Sequence, residues 1–372
     1  MKKALSIFTF AAAALLMASC SSDEVINSNQ RSSDQIRFDV MAGRMTRAQD
    51  VYSNVNLPDS FNVWATYFTE SLSDGTVYMD GDQIVNESGT WTDRSGDRYW
   101  PVTGQIRFFG YVNDQGSFTY DQGAPKFQNF TVDTVAAKQL DLLYAIQTSA
   151  RTTQPVTMNF RHALSQVVFQ AKNSNPNLHV TIYGVTVVNV NKSGTYAFNL
   201  TDSNTENEIV SADGTYETTG RGTWTLGSTL ASYPVSFTGV PLDTVNTTYN
   251  LTNTTPAEKK WGNALLLLPQ PTATTEWDLK LASKGTQTYF LVNYSAYNEA
   301  AGERTYIWGS ATAGRNAAVP ASFLWKEGCK YIYTFTFGQG NGGVDPDNPN
   351  APCSCRSRST SPSTTSSTPT MS

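Results

Sequence analysis

Apolar and polar residues alternate along much of this chain, in short runs that end at turn residues. Phe61, Val63, Ala65 and Tyr67 share one face of such a run, and residues 331–337 alternate in the same way. A period of two is typical of strands with one buried face. No stretch keeps a helical period over three turns. The sequence therefore predicts an all-β protein.

Turn signals divide the chain into many short strands. Asp74 with Gly75, and Asp80 with Gly81, predict hairpin turns. Further strands are predicted at residues 105–111, 156–160, 180–190, 194–200, 232–237, 262–268, 277–282 and 286–294, with a strand or short turn at 139–147. Short strands at regular spacing favour β-sandwiches. We expect two of them, at 48–154 and 155–338, followed by a linker and tail at 339–372.

A second pattern lies at the N-terminus. Lys2 and Lys3 precede an apolar stretch, residues 4–14, that is too short to span a bilayer, and small residues lead to Cys20. This order resembles a bacterial lipobox, in which the leader 1–19 is removed and a lipid is attached to the cysteine. The alternative is an ordinary secretory signal with an incidental cysteine. We expect an exported protein that is anchored by lipid at the outer cell face.

Composition narrows the range of partners. The 372 residues carry a formal net charge of −5, and loss of Lys2 and Lys3 with the leader makes it −7. Only 15% of the residues are charged. An acidic chain of this kind lacks the basic surface that binds nucleic acid or anionic lipid. Aromatic residues reach 12%, which suits pleated sheets.

The chain lacks the residue patterns of an enzyme. Its two histidines, His162 and His179, lie in neither a metal nor a catalytic spacing, and we expect His162 to be a core or capping residue. Residues 345–350 resemble calcium ligands but lack the central Gly and distal Glu of an EF-hand loop, so a linker is favoured. Cys329 is interpreted as a free thiol or a packing residue. We predict no catalytic residues, no metal and no cofactor.

A short strand and a basic loop precede the first long block of strands. Ile36, Phe38 and Val40 alternate with charged residues, which predicts a half-buried strand. Arg44 and Arg47 follow in a small loop that contains Gly43. Such a loop is accessible to an arginine-specific protease. The alternative is a basic turn without that role.

Several motifs, in their order along the chain, resemble those of the fimbrillins, the pilin subunits of type V pili in Bacteroidales. Besides Cys20 they are Ile36-Arg37-Phe38, Thr46-Arg47-Ala48, Tyr99-Trp100-Pro101 before Ile106-Arg107-Phe108-Phe109, Asp141-Leu142-Leu143-Tyr144-Ala145, Phe160-Arg161-His162-Ala163-Leu164, and Trp325 with Gly328 before Lys330-Tyr331-Ile332-Tyr333. Each motif is short, but together they extend over residues 36–337.

The resemblance implies two tandem transthyretin-like β-sandwich domains in a structural subunit of a cell-surface pilus, or fimbrium, for adhesion or biofilm contact. The precursor would be held at the outer membrane by lipid on Cys20, and residues 20–47 would be a propeptide with a removable first strand. An arginine-specific protease would cut after Arg47, with Arg44 as the alternative. A strand from another fimbrial subunit would then fill the vacated groove by donor-strand exchange.

The tail departs from the family pattern. Fimbrillins of the pilus stalk carry a donor strand after the segment that matches residues 331–337. Here residues 353–372 are almost all Ser, Thr, Pro and Arg, so we expect no packed strand among them. Two interpretations stay open. Either this is a tip-like subunit that accepts a strand and donates none, or a reading-frame error replaced a donor strand, since permissible codons in a shifted frame give an alternating peptide.

A different function is the alternative to a pilus subunit. A surface glycan-binding lipoprotein would stay anchored and hold polysaccharide on exposed aromatic residues, of which the chain has many.

Overall fold

The computed structural model describes residues 34–42, 57–69, 75–121, 123–200, 222–252, 263–271, 287–321, 323–338, 343–346, 352–353 and 355–359. Strands in four sheets make up almost all of the regular structure in these ranges, with a short 3₁₀-helix at Ala136–Lys138. The all-β prediction is therefore confirmed. Within the same ranges no helix has the length and apolar character needed to cross a membrane.

The first sheet has seven strands. In chain order they are β1 (Phe38–Ala42), β2 (Ser60–Phe68), β3 (Thr76–Glu87), β4 (Thr90–Asp93), β5 (Gln105–Val112), β8 (Leu143–Ala150) and β9 (Val156–His162). Their spatial order is β1-β9-β8-β5-β2-β3-β4. β1 runs parallel to β9, and the other neighbours are antiparallel.

This sheet curls until its two outer strands meet. β1 contacts β4, and Gln35 before β1 forms an antiparallel bridge with Tyr99 after β4. Ile106 and Phe108 of β5 lie in the apolar cluster on the inner face, whereas Phe109 of the same strand lies in the cluster on the outer face. The sheet therefore nearly closes around a core of its own.

A four-stranded sheet covers the outer face of the first sheet. Its strands are β6 (Phe118–Asp121), β7 (Ala124–Thr131), β12 (Ser193–Ala197) and β13 (Thr223–Leu226), in the order β13-β12-β7-β6. Phe118 stacks on Tyr111 of the first sheet, with ring centroids 4.4 Å apart. The two sheets are thus joined by aromatic side chains.

Two further sheets face each other in the second half of the chain. One contains β10 (Ser165–Asn173), β15 (Thr248–Asn250), β16 (Leu265–Leu267), β20 (Lys330–Phe337) and β23 (Cys355–Ser359). The other contains β11 (Leu178–Asn191), β14 (Leu230–Pro241), β17 (Tyr289–Ala300), β18 (Glu303–Trp308), β19 (Arg315–Pro320), β21 (Gly343–Val344) and β22 (Pro352–Cys353). Phe169 of β10 meets Phe290 of β17 edge to face, with ring centroids 6.0 Å apart. In β20 the tyrosines and phenylalanines are buried, as their alternation predicts.

The sheets do not divide at residue 155, where the sequence analysis places a domain boundary. β9 begins at Val156 and completes the first sheet, and β12 and β13 pair with β7. The apolar alternation of Val156, Met158 and Phe160 shows that one face of a strand is buried. It does not show which core the strand completes.

One predicted turn is wrong. Asp80 and Gly81 lie inside β3 rather than at its end. The pairing of β2 with β3 shifts register at this point, because Val63 faces Asp82 while Trp64 faces Asp80. Gly81 has a φ of 75°, so it provides the left-handed residue of a bulge. Asp-Gly marks a left-handed backbone position, which occurs in bulges as well as in turns.

The tail contains a strand at a sheet edge, which the prediction of no packed strand did not anticipate. β23 pairs antiparallel with β20, from Tyr333 opposite Ser359 to Phe337 opposite Cys355. Backbone groups at an open edge pair with any extended segment, and this needs no alternating apolar residues. The polar composition of residues 353–372 was therefore insufficient evidence against a strand.

Candidate functional site

The short strand predicted before the basic loop lies at one edge of the first sheet, as β1. Ile36, Phe38 and Val40 are 5%, 6% and 5% exposed, whereas Arg37 and Asp39 between them are exposed. The alternation in the sequence therefore corresponds to one face that enters the inner core of the curled sheet.

Phe38 is the centre of this contact. Its ring meets the rings of Phe61 and Phe108 edge to face, with centroids 5.8 Å and 5.6 Å away. Burial of an apolar side chain of this size contributes about 2 kcal/mol, so the three anchors together contribute on the order of 6 kcal/mol. Segment 34–42 thus contributes side chains to the core, although β1 is the edge strand of the sheet.

The backbone of this segment pairs on two sides. Phe38 to Ala42 pair in parallel with residues 156–160 of β9. Immediately before them, the Ile36 N–H donates to the Arg98 carbonyl at 2.7 Å, and the Trp100 N–H donates to the Asp34 carbonyl at 2.8 Å. The segment therefore joins β9 to the residues that follow β4.

Polar side chains hold the leading end of the segment. Asp34 forms an ion pair with Arg151, and Gln35 Nε2 donates to Asp97 Oδ1 at 2.8 Å. Arg37 Nη2 donates to the Thr153 carbonyl at 2.5 Å. The alternation in the sequence gave no sign of these contacts, because they join residues more than 60 positions apart.

The other predicted site residues cannot be placed. Cys20, Arg44 and Arg47 lie outside the described residues, so lipid attachment and cleavage stay predictions. The segment that contains both arginines begins directly after Ala42, the last residue of β1. A cut after either one would therefore separate β1 from the rest of the chain.

The buried histidine has a structural setting. His162 and Asp141 are both fully buried, and His162 Nδ1 lies 2.9 Å from Asp141 Oδ2. This agrees with the prediction of a core residue. Cys329 is buried and is not part of a disulfide within the described residues, which agrees with its interpretation as a packing residue. Asp345, from the segment compared with calcium ligands, pairs with Arg315 at 2.5 Å. The described ranges contain no group of three or more His, Cys, Asp or Glu placed to hold a metal ion.

One group of half-buried aromatic residues packs against itself rather than forming an open platform. His179, Tyr297 and Tyr306 face one another across β11, β17 and β18. His179 stacks on Tyr297 at 4.7 Å, and the Arg304 guanidinium lies 5.0 Å from the centre of the same ring. The rings therefore cover each other, as cross-strand pairs that stabilise a hairpin do. This arrangement does not favour the glycan-binding alternative.

Comparison with known proteins gives a consistent result. A family model described as fimbrillin-like matches residues 46–347. The crystal structure of a fimbrial protein from Bacteroides vulgatus is similar over 88% of this chain and 98% of that chain, with 16% sequence identity and a TM-score of 0.54. At this identity the likeness shows a shared fold.

Two weaker likenesses are to proteins described as candidate cell adhesion proteins. The one from Bacteroides eggerthii is 12% identical with a TM-score of 0.42, over 88% of this chain and 95% of that chain. The one from Bacteroides ovatus is 15% identical with a TM-score of 0.40, over 88% of this chain and 96% of that chain. Among curated proteins, none matches this chain.

Proposed function

This chain belongs to the fimbrillin-like family, and from that premise we propose that it is a structural subunit of a cell-surface pilus. The precursor is exported, lipidated at Cys20 and held at the outer membrane. An arginine-specific protease cuts it after Arg47, or alternatively after Arg44. Segment 34–42 then leaves, and a strand from another pilus subunit takes its place. The two tandem transthyretin-like sandwiches belong to the same proposal.

The observation that supports this function is the position of β1. It is the first strand in the chain order of the described residues, it lies at a sheet edge, and its apolar face is buried beside Phe61 and Phe108. Loss of this strand leaves an apolar groove and the unpaired backbone groups of β9. An edge of that kind pairs readily with another extended chain. The free energy that burial of apolar side chains gave to β1 can then stabilise the strand that replaces it.

Protease treatment of the purified full-length precursor tests the proposal. We expect an arginine-specific protease to yield a product that begins at Ala48, by N-terminal sequencing, and multimers that persist in warm detergent. Electron microscopy of the same sample should show fibres. The double variant Arg44→Ala with Arg47→Ala should stay monomeric under identical treatment, since it lacks both sites.

The matched control is Arg304→Ala, which removes an exposed arginine on the β17–β18 hairpin and should leave cleavage at Arg47 intact. A cleaved protein that stays monomeric at all concentrations, with no fibres and no multimers, would contradict donor-strand exchange. A mature surface form that still carries residues 20–47 would contradict the processing step.

A further inference from the structure

We propose that residues 98–100 and Arg151 form a clasp that recognises the leading end of the strand that replaces β1. The groove then selects, from a different subunit, an extended segment in which a carboxylate lies four residues before an aromatic residue. This inference rests on the proposed function, because it concerns the strand that enters after β1 has left.

The first argument is that the clasp acts on a part of the segment outside the parallel ladder. β1 pairs with β9 only from Phe38 onward, whereas the bonds to Arg98 and Trp100 involve Ile36 and Asp34. Asp34 and Gln35 precede the apolar alternation and are half-buried. A strand that began only at the first apolar position would leave the Trp100 N–H without the backbone carbonyl that Asp34 now provides.

The second argument is that the receiving side has further contacts that are independent of segment 34–42. Arg98 Nη2 lies 2.6 Å from Asp82 Oδ2, and Asp82 on β3 is almost fully buried. The Tyr78 hydroxyl donates to the Tyr99 carbonyl, and burial raises the pKa of this hydroxyl, so it stays protonated. The ring of Trp100 packs edge to face on Phe108. Residues 98–100 therefore keep their place when segment 34–42 is removed.

The third argument is charge. Arg151 follows β8 directly, and its guanidinium pairs with the Asp34 carboxylate. The Arg151 side chain is 49% exposed and that of Asp34 is 28% exposed. An ion pair of this kind favours a strand with a carboxylate at this place but adds little to the affinity of that strand. The apolar anchors supply most of the binding, and the clasp sets length and register.

The occupant follows from these requirements. It needs a carboxylate at the place of Asp34, an aromatic ring at the place of Phe38, and apolar residues at the places of Ile36 and Val40. β23 of this chain reads Cys-Arg-Ser-Arg-Ser, which would bring arginine or serine to an apolar pocket in either phase. β23 therefore does not meet these requirements, and the strand that replaces β1 is another segment of a neighbouring pilus subunit.

Peptide exchange on the full-length protein tests the clasp. Labelled peptides are added during protease treatment, and their incorporation is measured by fluorescence anisotropy. The reference peptide has the sequence of residues 34–42. A peptide of residues 36–42 should bind about ten-fold more weakly, since it cannot reach Trp100 or Arg151. The Asp34→Asn peptide should bind about three-fold more weakly.

The protein variant Arg151→Ala completes a double-mutant cycle. It should weaken the reference peptide about three-fold and leave the Asp34→Asn peptide unaffected. The matched control is Arg304→Ala, because Arg304 is an exposed arginine paired with Glu299 on the distant β17–β18 hairpin. This control should bind all peptides as the wild type does.

The outcomes separate the clasp from the proposed function. If the short peptide and the Asp34→Asn peptide bind as tightly as the reference, the clasp is refuted. Exchange of a strand into the groove is still supported by that result. If the reference peptide does not bind at all, donor-strand exchange itself is refuted. If a peptide of residues 352–372 binds as tightly as the reference, the requirement for a carboxylate and an aromatic residue at these places is wrong.

Discussion

Two strands close open sheet edges in this molecule, and they do so by different means. β1 lies parallel to β9 and buries Phe38 and Val40 in the core, whereas β23 lies antiparallel to β20 with a sequence of Cys, Ser and Arg. The first closure buries apolar side chains in a groove, and the second is a backbone ladder formed by a polar sequence. A strand held by its side chains specifies what can replace it. A strand held by its backbone does not.

The second closure has side-chain anchors ahead of its strand. Val344 packs in a small cluster with Val188, Tyr289 and Ala318. Asp345 is 1% exposed and pairs with Arg315. These contacts attach the segment that leads from β20 towards β23. The two edges therefore differ in where the stabilising contacts lie as well as in their kind.

Truncation of the central anchor of β1 should have the largest effect. Phe38→Ala removes a ring that contacts Phe61 and Phe108, and we expect it to lower the free energy of unfolding of the precursor by about 3–5 kcal/mol. Met41→Ala on the same strand is the control, because Met41 is 37% exposed, and it should change stability by about 0.5 kcal/mol or less. Urea unfolding followed by tryptophan fluorescence measures both. Equal effects would show that β1 is held by backbone pairing and not by its buried side chains.

Alkaline pH should destabilise the protein in part through β20, the strand that β23 covers. Burial raises the pKa of the Tyr331 and Tyr333 hydroxyls on β20, so the folded state binds these protons more tightly than the unfolded state. Their contribution is complete below pH of about 10 and is lost as the pH rises towards the folded pKa. Between pH of about 10 and the folded pKa, each pH unit lowers the free energy of unfolding by about 1.4 kcal/mol per tyrosine. At pH 11 the two residues together should lower stability by about 2–3 kcal/mol.

Unfolding of the wild type and of Tyr333→Phe at pH 8 and pH 11 measures this effect. The variant loses the acceptor that Trp325 Nε1 contacts at 2.9 Å, so it is less stable at pH 8 but should lose less on going to pH 11. Tyr99→Phe, at an exposed position, serves as the control. An identical loss in all three proteins would show that the buried tyrosines on β20 do not cause the pH dependence.

The sequence predicted the parts of this comparison that depend on local alternation. Ile36, Phe38 and Val40 were identified as one buried face because period two is visible in five consecutive residues. The clasp was missed, since Asp34, Arg98 and Arg151 are distant in sequence and meet only when the sheet curls. β23 was missed for a different reason, because backbone pairing leaves no mark in the side-chain pattern. The sheet that β9 joins was also hidden, as alternation does not identify the partner of a strand.

Loss of the anchor ahead of β23 should have a moderate effect. Arg315→Ala removes a charged partner from the buried carboxylate of Asp345, and the guanidinium also lies 5.0 Å from the centre of the Trp308 ring. We expect the free energy of unfolding to fall by about 1–2 kcal/mol. Arg94→Ala, which removes an exposed ion pair with Glu87, should cost about 0.5 kcal/mol or less. A cost for Arg315→Ala as small as that of the control would show that the leading segment is not anchored there.

Removal of β23 should have the smallest effect on stability and a clear effect on association. A chain that ends at Cys353 loses the backbone bonds between β23 and β20, at about 1 kcal/mol each, but regains the conformational entropy of the freed residues, so the net loss should be about 1 kcal/mol. The exposed edge of β20 then pairs with other chains, and we expect dimers or larger species by light scattering at concentrations where the full chain is monomeric. Restoring the length of β23 with an unrelated polar sequence free of proline should suppress this association, because the edge requires an extended backbone and no particular side chains. If only the native sequence suppresses this association, the side chains of β23 also determine how the edge is closed. The two edges are then closed by the same means.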